Sequence, residues 1–364
     1  MDLKRLEGVV VPAGSLDSLG SPPEQGRVAF DRVEGMLLGL AIGDALGNTS
    51  ESRFPGTRRD AEDREAEIRD YQPNRYADGA RVGVPSDDTQ LAFWTLESLI
   101  EHGHVVPEDL AARFARRRIF GIGQTVRAFL SAYHAGLPWQ QAAQRLAGNG
   151  ALMRIAPVVI PHLGRPSMDL WVDAILAGAV THNDPSSIAA CVALTGILWE
   201  VLAMDGLPQP TWWLDTYCSR AACIEGEMRL TPRRPGLDFH GPIWRFVDTE
   251  VRQTLARDLP VLAACDRWYS GAFLLETVPS VLYILGRHAD DPEEAIVRAV
   301  NDTYDNDTVG AIVGAVVGAL HGRSRLPERW VSCLLGRTTE ADDGRVFELV
   351  RQARTRFCST AMGV

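Results

Sequence analysis

Lysine is all but missing from this chain. Lys4 is the only one among 37 basic residues, so the positive charge is carried by arginine, a bias of codon usage more than of chemistry. The 47 acidic residues leave a net charge of −10. That argues against bulk nucleic acid as a partner, because the acidic excess outweighs the arginines that would neutralise a run of phosphates. Cysteine is sparse and scattered, at 191, 218, 223, 265, 333 and 358, with no C-x-x-C pair. A structural zinc site is therefore not expected, and reduced thiols in a cytoplasmic protein are. No His-Asp dipeptide occurs, which removes the dinuclear phosphohydrolases built on that pair. No apolar run reaches the ~20 residues needed to cross a membrane. Nor does the N-terminus read as a signal peptide, since Pro12 breaks the short run GVVVPAG.

Alternating strand pattern is missing too. From Val33 onward, apolar residues recur every three to four positions, and LAFWTLESLI, SSIAACVALTGILWEVL, GAFLLETVPSVLYIL and DPEEAIVRAV all read as helices. The expectation is an all-α fold. Residues 1–28, rich in Gly, Pro and Ser, read as a flexible N-terminal extension, and residues 29–360 as a single all-α domain. Hydrophobic content of 46% and charged content of 23% are those of a soluble globular protein.

Two helices share an uncommon device. GMLLGLAIGDALG carries Gly35, Gly39, Gly43 and Gly47, and a late segment carries Gly310, Gly314, Gly318 and Gly322. Each glycine inside a helix costs about 1 kcal/mol relative to alanine. At i, i+4 spacing the four form a smooth ridge that admits another backbone. Both helices are expected at the centre of the domain, against each other.

Each acidic cluster lies at the mouth of a helix. PSDDTQLAFW gathers Ser86, Asp87, Asp88 and Thr89; YDNDTVGAIV gathers Asp305, Asn306, Asp307 and Thr308. Helix capping accounts for one oxygen side chain at such a place, not for two carboxylates that repel each other. Two clusters of hard oxygen ligands suit Mg²⁺ or Mn²⁺, and four aspartates can offset two divalent ions. Asp44 stands in the last turn of the first glycine helix, against the dipole, and so calls for a buried partner. Glu51 follows in a loop of small residues that can reach a nearby site. GNGALMRIAP reads as a helix opened by Gly148, Asn149 and Gly150, whose N–H groups can meet an anion or a ribose. THNDP places His182 before a helix that Asp184 and Pro185 cap and start. FGIGQT, with Gly121 and Gly123, reads as a lip bordering a cleft.

In this order the segments GMLLGLAIGDALG, SDDTQ, GIGQT, GNGALMRIAP, THNDP and DNDTVGAIVGA resemble the ADP-ribosylglycohydrolase family, which includes the dinitrogenase-reductase-activating glycohydrolases and the eukaryotic ADP-ribosyl-acceptor hydrolases. The likeness runs from about Val33 to Gly322. It implies an orthogonal multi-helix bundle with two Mg²⁺ or Mn²⁺ ions. It also implies hydrolysis of the bond between ADP-ribose and a modified acceptor, arginine on an ADP-ribosylated protein being the first expectation. By position, Ser86, Asp87, Asp88, Asp305, Asp307 and Thr308 match metal ligands. Glu51 and Asp87 are the expected catalytic carboxylates, with the choice between them open. Gly121, Gly123, Asn149, Gly150, His182 and Tyr304 would line the substrate cleft.

The chain departs from the family pattern at Ser86, where threonine is usual, at Thr303 and Tyr304, where glycines are usual, and at Asn306. Tyr304 is expected to narrow or reshape the substrate end. Some members of the family neutralise secreted ADP-ribosyltransferase toxins through an N-terminal extension that plugs the toxin's active site, and residues 1–28 suit that alternative. A non-catalytic, crystallin-like relative fits poorly with complete acidic clusters.

Overall fold

The computed structural model describes residues 3–51, 53–57, 67–74, 77, 79 and 81–358. Residues 1–2 of the expected extension and 359–360 of the expected domain lie outside them. The main helices are α1 (Phe30–Gly47), α2 (Asp87–His102), α3 (Pro107–Arg116), α4 (Gln124–His134), α5 (Asp169–Ala179), α6 (Pro185–Val201), α7 (Trp212–Glu225), α8 (Val261–Trp268), α9 (Leu274–His288), α10 (Pro292–Asp302), α11 (Asn306–His321) and α12 (Arg345–Ala353). Among the described residues there is no β-strand, only isolated bridges such as Gly148 to Phe273. The fold is all-α. No described helix is long and apolar enough to cross a membrane.

The two glycine ridges meet. A Cβ on Gly35, Gly39 or Gly43 of α1 would drive into the carbonyl oxygens of Gly318, Gly314 and Gly310 of α11. The backbones touch along this seam, and both helices are buried on every side. Side chains of any size would hold the axes at the 8–10 Å usual between packed helices. The pairing also brings the C-terminal end of α1 onto the N-terminal turn of α11, since a Cβ on Gly47 would fall 2.5 Å from Cα of Asp307.

GNGALMRIAP does not open an α-helix. Residues Asn149–Arg154 and Ala156–His162 are two successive 3₁₀ segments. Pro157 lacks the N–H that an α-helical ladder would need, and Pro161 repeats the interruption.

Residues 3–28 also differ from the expected flexible extension: they lie along the bundle. Arg5 donates to Asp173 at 2.6 Å and to the carbonyl of Val105 at 2.8 Å. Asn183 exchanges hydrogen bonds with the carbonyl of Gly8 and the N–H of Val10. The indoles of Trp171 and Trp199, both buried, donate to the carbonyls of Gly20 and Pro23. A buried indole N–H needs an acceptor. Outside its short helical turns at Leu3–Leu6 and Ser15–Leu19, this Pro- and Gly-rich segment has carbonyls to offer, and that exchange ties it to the bundle.

Candidate active site

Asp44 organises the first cluster. Buried at the end of α1, its carboxylate accepts from Ser86 N–H, Ser86 Oγ, Thr89 N–H, Thr89 Oγ1 and Asn48 Nδ2, the two hydroxyl contacts at 2.6 Å. Its placement against the helix dipole is thus met by donors from the first turn of α2. Both of its oxygens are taken, so Asp44 orients the cluster and is poorly placed as a ligand. Ser86 gives its hydroxyl proton to Asp44, which leaves Oγ lone pairs for a cation. Burial raises Asp44, and these hydrogen bonds oppose the shift.

Neither N-cap residue of the acidic clusters caps its helix. Ser86 and Asp305 occupy the N-cap positions of α2 and α11, yet neither side chain bonds the free N–H groups there. Ordinary caps exist in the same chain: Asp184 accepts from the N–H groups of Ser186 and Ser187, and Asp291 from those of Glu293 and Glu294. Asp307 Oδ1 accepts from the N–H of Thr308, and the carboxylates of the second cluster lie close to Glu51. One oxygen each of Glu51, Asp305 and Asp307 lies within 4.8 Å of the others, close enough to share an ion. Asp88 Oδ1 is buried with no hydrogen-bond partner among the described residues.

Burial raises Asp87, Asp88 and Asp307 well above the ordinary carboxylate range. Facing charges add to it: Asp44 for Asp87 and Asp88, Glu51 for Asp307. Asp305 is raised by burial too, against the hydrogen bond it accepts from Asn149. Several carboxylates desolvated side by side are costly unless a cation sits among them. The donors are all oxygen and include an orphaned buried one, so they fit Mg²⁺ or Mn²⁺.

The clusters line a cavity of about 510 Å³. Its lining includes Glu51, Asp87, Asp88, Asp305, Asp307 and Thr308, and with them Gly121, Gly123, Asn149, Gly150 and His182. The wall at Ala147–Asn149 is clipped to the start of α9 by Leu274 N–H to Ala147 O (2.9 Å) and Asn149 N–H to Ala272 O (3.1 Å). A larger cavity of about 740 Å³ lies elsewhere. Its acids pair with arginines, Glu67, Glu294 and Asp302 with Arg298 and Asp258 with Arg287, so it offers no comparable cluster.

Two expected site residues are not in the lining. Ser86 is buried beneath it on Asp44. Tyr304 turns aside and stacks on Tyr269, ring centroids 4.3 Å apart, with the edge of Phe54 against it. Tyr269 and Ser270 both carry left-handed backbone, φ 82° and 51°. This uncommon turn holds the second cluster: Ser270 Oγ accepts from Tyr304 N–H and the Ser270 carbonyl from Asp305 N–H. Gln124 and Thr125 of the expected lip line the cavity as well, and sequence reasoning missed Phe273 and Arg233, which do so too. Arg233 pairs with buried Glu276 and lies over Phe273, and nothing in TPRRPG announces that placement.

Residues 26–357 match the ADP-ribosylglycohydrolase family. The chain is 28% identical over 320 residues to the ADP-ribosyl-[dinitrogen reductase] glycohydrolase of Rhodospirillum rubrum, covering 85% of this chain and 92% of that protein. It is 28% identical over 322 residues to the ADP-ribosylarginine hydrolase Tri1 of Pseudomonas putida, covering 85% and 75%. A solved structure described as an ADP-ribosylglycohydrolase-related protein complex superposes with a TM-score of 0.62 at 26% identity, over 90% of this chain and 98% of that one. The acidic cleft sits within the matched span, and the chain belongs to the ADP-ribosylglycohydrolase family.

Proposed function

We propose that this protein is a metal-dependent hydrolase that breaks the glycosidic bond between ADP-ribose and a modified acceptor, with arginine on an ADP-ribosylated protein as that acceptor. The observation that carries the reading is the convergence of two acidic clusters, one with an orphaned buried oxygen, in the lining of one cleft. Arginine is supported by the Pseudomonas putida relative, which is named as an ADP-ribosylarginine hydrolase.

Ser86, Asp87 and Asp88 on one side, and Asp305, Asp307 and Thr308 on the other, would hold two Mg²⁺ or Mn²⁺ ions. Bound there, such ions supply Lewis acidity and a water of lowered pKa. Asn149 fixes Asp305 by donating to its Oδ2. Glu51 stands exposed at the cluster's edge, placed to move a proton at the water or at the departing nitrogen. In the reaction the water oxygen bonds to the anomeric carbon. The carbon–nitrogen bond breaks, its electron pair leaves with the guanidino nitrogen, and that nitrogen takes a proton. The carboxylates favour the oxocarbenium character that develops on the way. The lip at Gly121–Gly123, the Gly148–Gly150 wall and His182 would face the rest of the ADP-ribosyl group.

The test is release of ADP-ribose from an arginine-ADP-ribosylated protein, with Mg²⁺ and again with EDTA. Release that EDTA abolishes supports the reading. Asp307→Ala should lose metal by calorimetry and hydrolysis with it, while its circular dichroism stays helical. Full activity in that variant would remove Asp307 from the ligand set. Neutralisation of a toxin by residues 1–28 gains no support from the anchoring of residues 3–28 on the bundle, and truncation separates that role from hydrolysis.

A further inference from the structure

His182 is buried, and its two ring nitrogens have different surroundings. Nδ1 lies 2.7 Å from Thr181 Oγ1. Nε2 is buried with no hydrogen-bond partner among the described residues, and His182 is one of the residues that line the cavity. The space before it is kept open by glycine: a Cβ on Gly148 or on Gly150 would lie 3.4 Å from Nε2.

Behind Thr181 stands Arg154, also buried. Its Nη2 donates to Thr181 Oγ1 and to the Ala177 carbonyl, both at 3.0 Å, and Nη1 donates to the Gly150 carbonyl. The guanidinium lies over the Phe114 ring, 5.1 Å from its centroid. No ion pair joins it to any described carboxylate, although buried arginines ordinarily have one. Burial lowers Arg154 only to about 10, so it stays charged at neutral pH. Burial, and then the charge of Arg154, lower His182 to about 3, so its ring is neutral.

The donor direction then follows by elimination. Arginine can only donate, so Arg154 occupies a lone pair of Thr181 Oγ1. The acceptor left for the Thr181 hydroxyl proton is His182 Nδ1. A neutral ring that accepts at Nδ1 carries its proton on Nε2. The cavity wall at Gly148 and Gly150 therefore holds an N–H donor with an unpaired cation behind it.

We propose that Arg154 and Thr181 are positioning residues that hold His182 as a neutral Nε2–H donor toward a phosphate oxygen of the ADP-ribosyl group. The inference rests on the function proposed above for its ligand. The tautomer itself can be read without any ligand.

Uniformly ¹⁵N-histidine-labelled full-length protein, with the His182 resonances assigned by difference from Thr181→Val, should show pyrrole-type Nε2 and pyridine-type Nδ1 from pH 5 to 8. An Nδ1–H ring or an imidazolium at His182 in that range overturns the proposal; should Thr181→Val fail to fold, loss of one histidine's signals in His182→Gln makes the assignment. Thr181→Val should weaken binding of ADP-ribose about tenfold by calorimetry and raise KM more than it lowers kcat, and Thr181→Ser should restore both. A folded Thr181→Val protein that binds ADP-ribose as the wild type does overturns this assignment alone. Wild-type protein that fails to bind ADP-ribose overturns the ligand here together with the functional reading beneath it.

Discussion

Replacing Gly47 by alanine adds one methyl group and changes no charge and no ligand, yet it should disable the site. The new Cβ would lie 2.5 Å from both Cα and N of Asp307 and 2.6 Å from the carbonyl oxygen of Asn306. Ordinary van der Waals contact begins at 3.4 Å, so the first turn of α11 must yield by about 0.9 Å. All three obstructing atoms are backbone, so no side-chain rotation can relieve them. A displacement of about 1 Å in a catalytic array costs on the order of 100-fold in rate, which is about 2.7 kcal/mol of transition-state stabilisation. Overpacking also costs roughly 1–3 kcal/mol of fold stability, offset by no more than about 1 kcal/mol of helix propensity. The assays are thermal unfolding by circular dichroism, Mn²⁺ titration by calorimetry, and ADP-ribose release. Gly26→Ala is the control, because its Cβ would meet nothing nearer than the Ala203 side chain at 4.0 Å. A Gly47→Ala protein with wild-type Mn²⁺ affinity and wild-type kcat/KM would refute the claim that this backbone contact sets the position of Asp307.

Asp44→Asn replaces one saturated acceptor oxygen by an NH₂ group facing donors on Ser86 or Thr89, so at least one buried pair becomes donor against donor. About 1–3 kcal/mol should be lost, read as a lower melting temperature together with weaker Mn²⁺ binding; an unchanged melt would show that Asp44 does not organise the cluster. Glu225, buried at the end of α7, accepts from Ser186 Oγ and the N–H groups of Ile243 and Trp244, yet burial pushes it up to about 7 from 4.5. Because its folded value is raised, its contribution is fully present below about 4.5 and is lost as pH rises through about 7. The loss should be on the order of 3 kcal/mol at most, seen as a falling urea midpoint in saturating Mg²⁺. Glu225→Gln should flatten that slope, and a parallel slope in the variant would clear Glu225 of responsibility. Deleting residues 1–28 removes Arg5 from buried Asp173 and the acceptors of the Trp171 and Trp199 indoles. The truncated protein should melt several degrees lower, while one that melts as the full chain does would mean that those bonds contribute nothing to the fold.

The sequence by itself determined whatever depends on residues a few positions apart. Helical periodicity reports which side chains share a face, so the all-α class was legible without contacts. Gly35–Gly47 and Gly310–Gly322 pay a local helix penalty that only a close backbone neighbour explains, and the two ridges do meet. Both acidic clusters were legible because like charges two residues apart are unfavourable unless something holds them, and Asp44 because it opposes its helix dipole.

Tertiary structure alone decided what depends on groups far apart in the chain. Arg233 enters the cleft because Glu276 receives it. Tyr304 turns aside because Tyr269 offers a ring to stack on. Residues 3–28 have the composition of a loose tail and are ordered by donors more than 140 positions later, at Trp171, Asn183 and Trp199. Local sequence carries steric and dipolar preferences across one or two turns of helix. It does not carry the position of a distant carboxylate or indole, and those partners placed the substrate wall and the N-terminal segment.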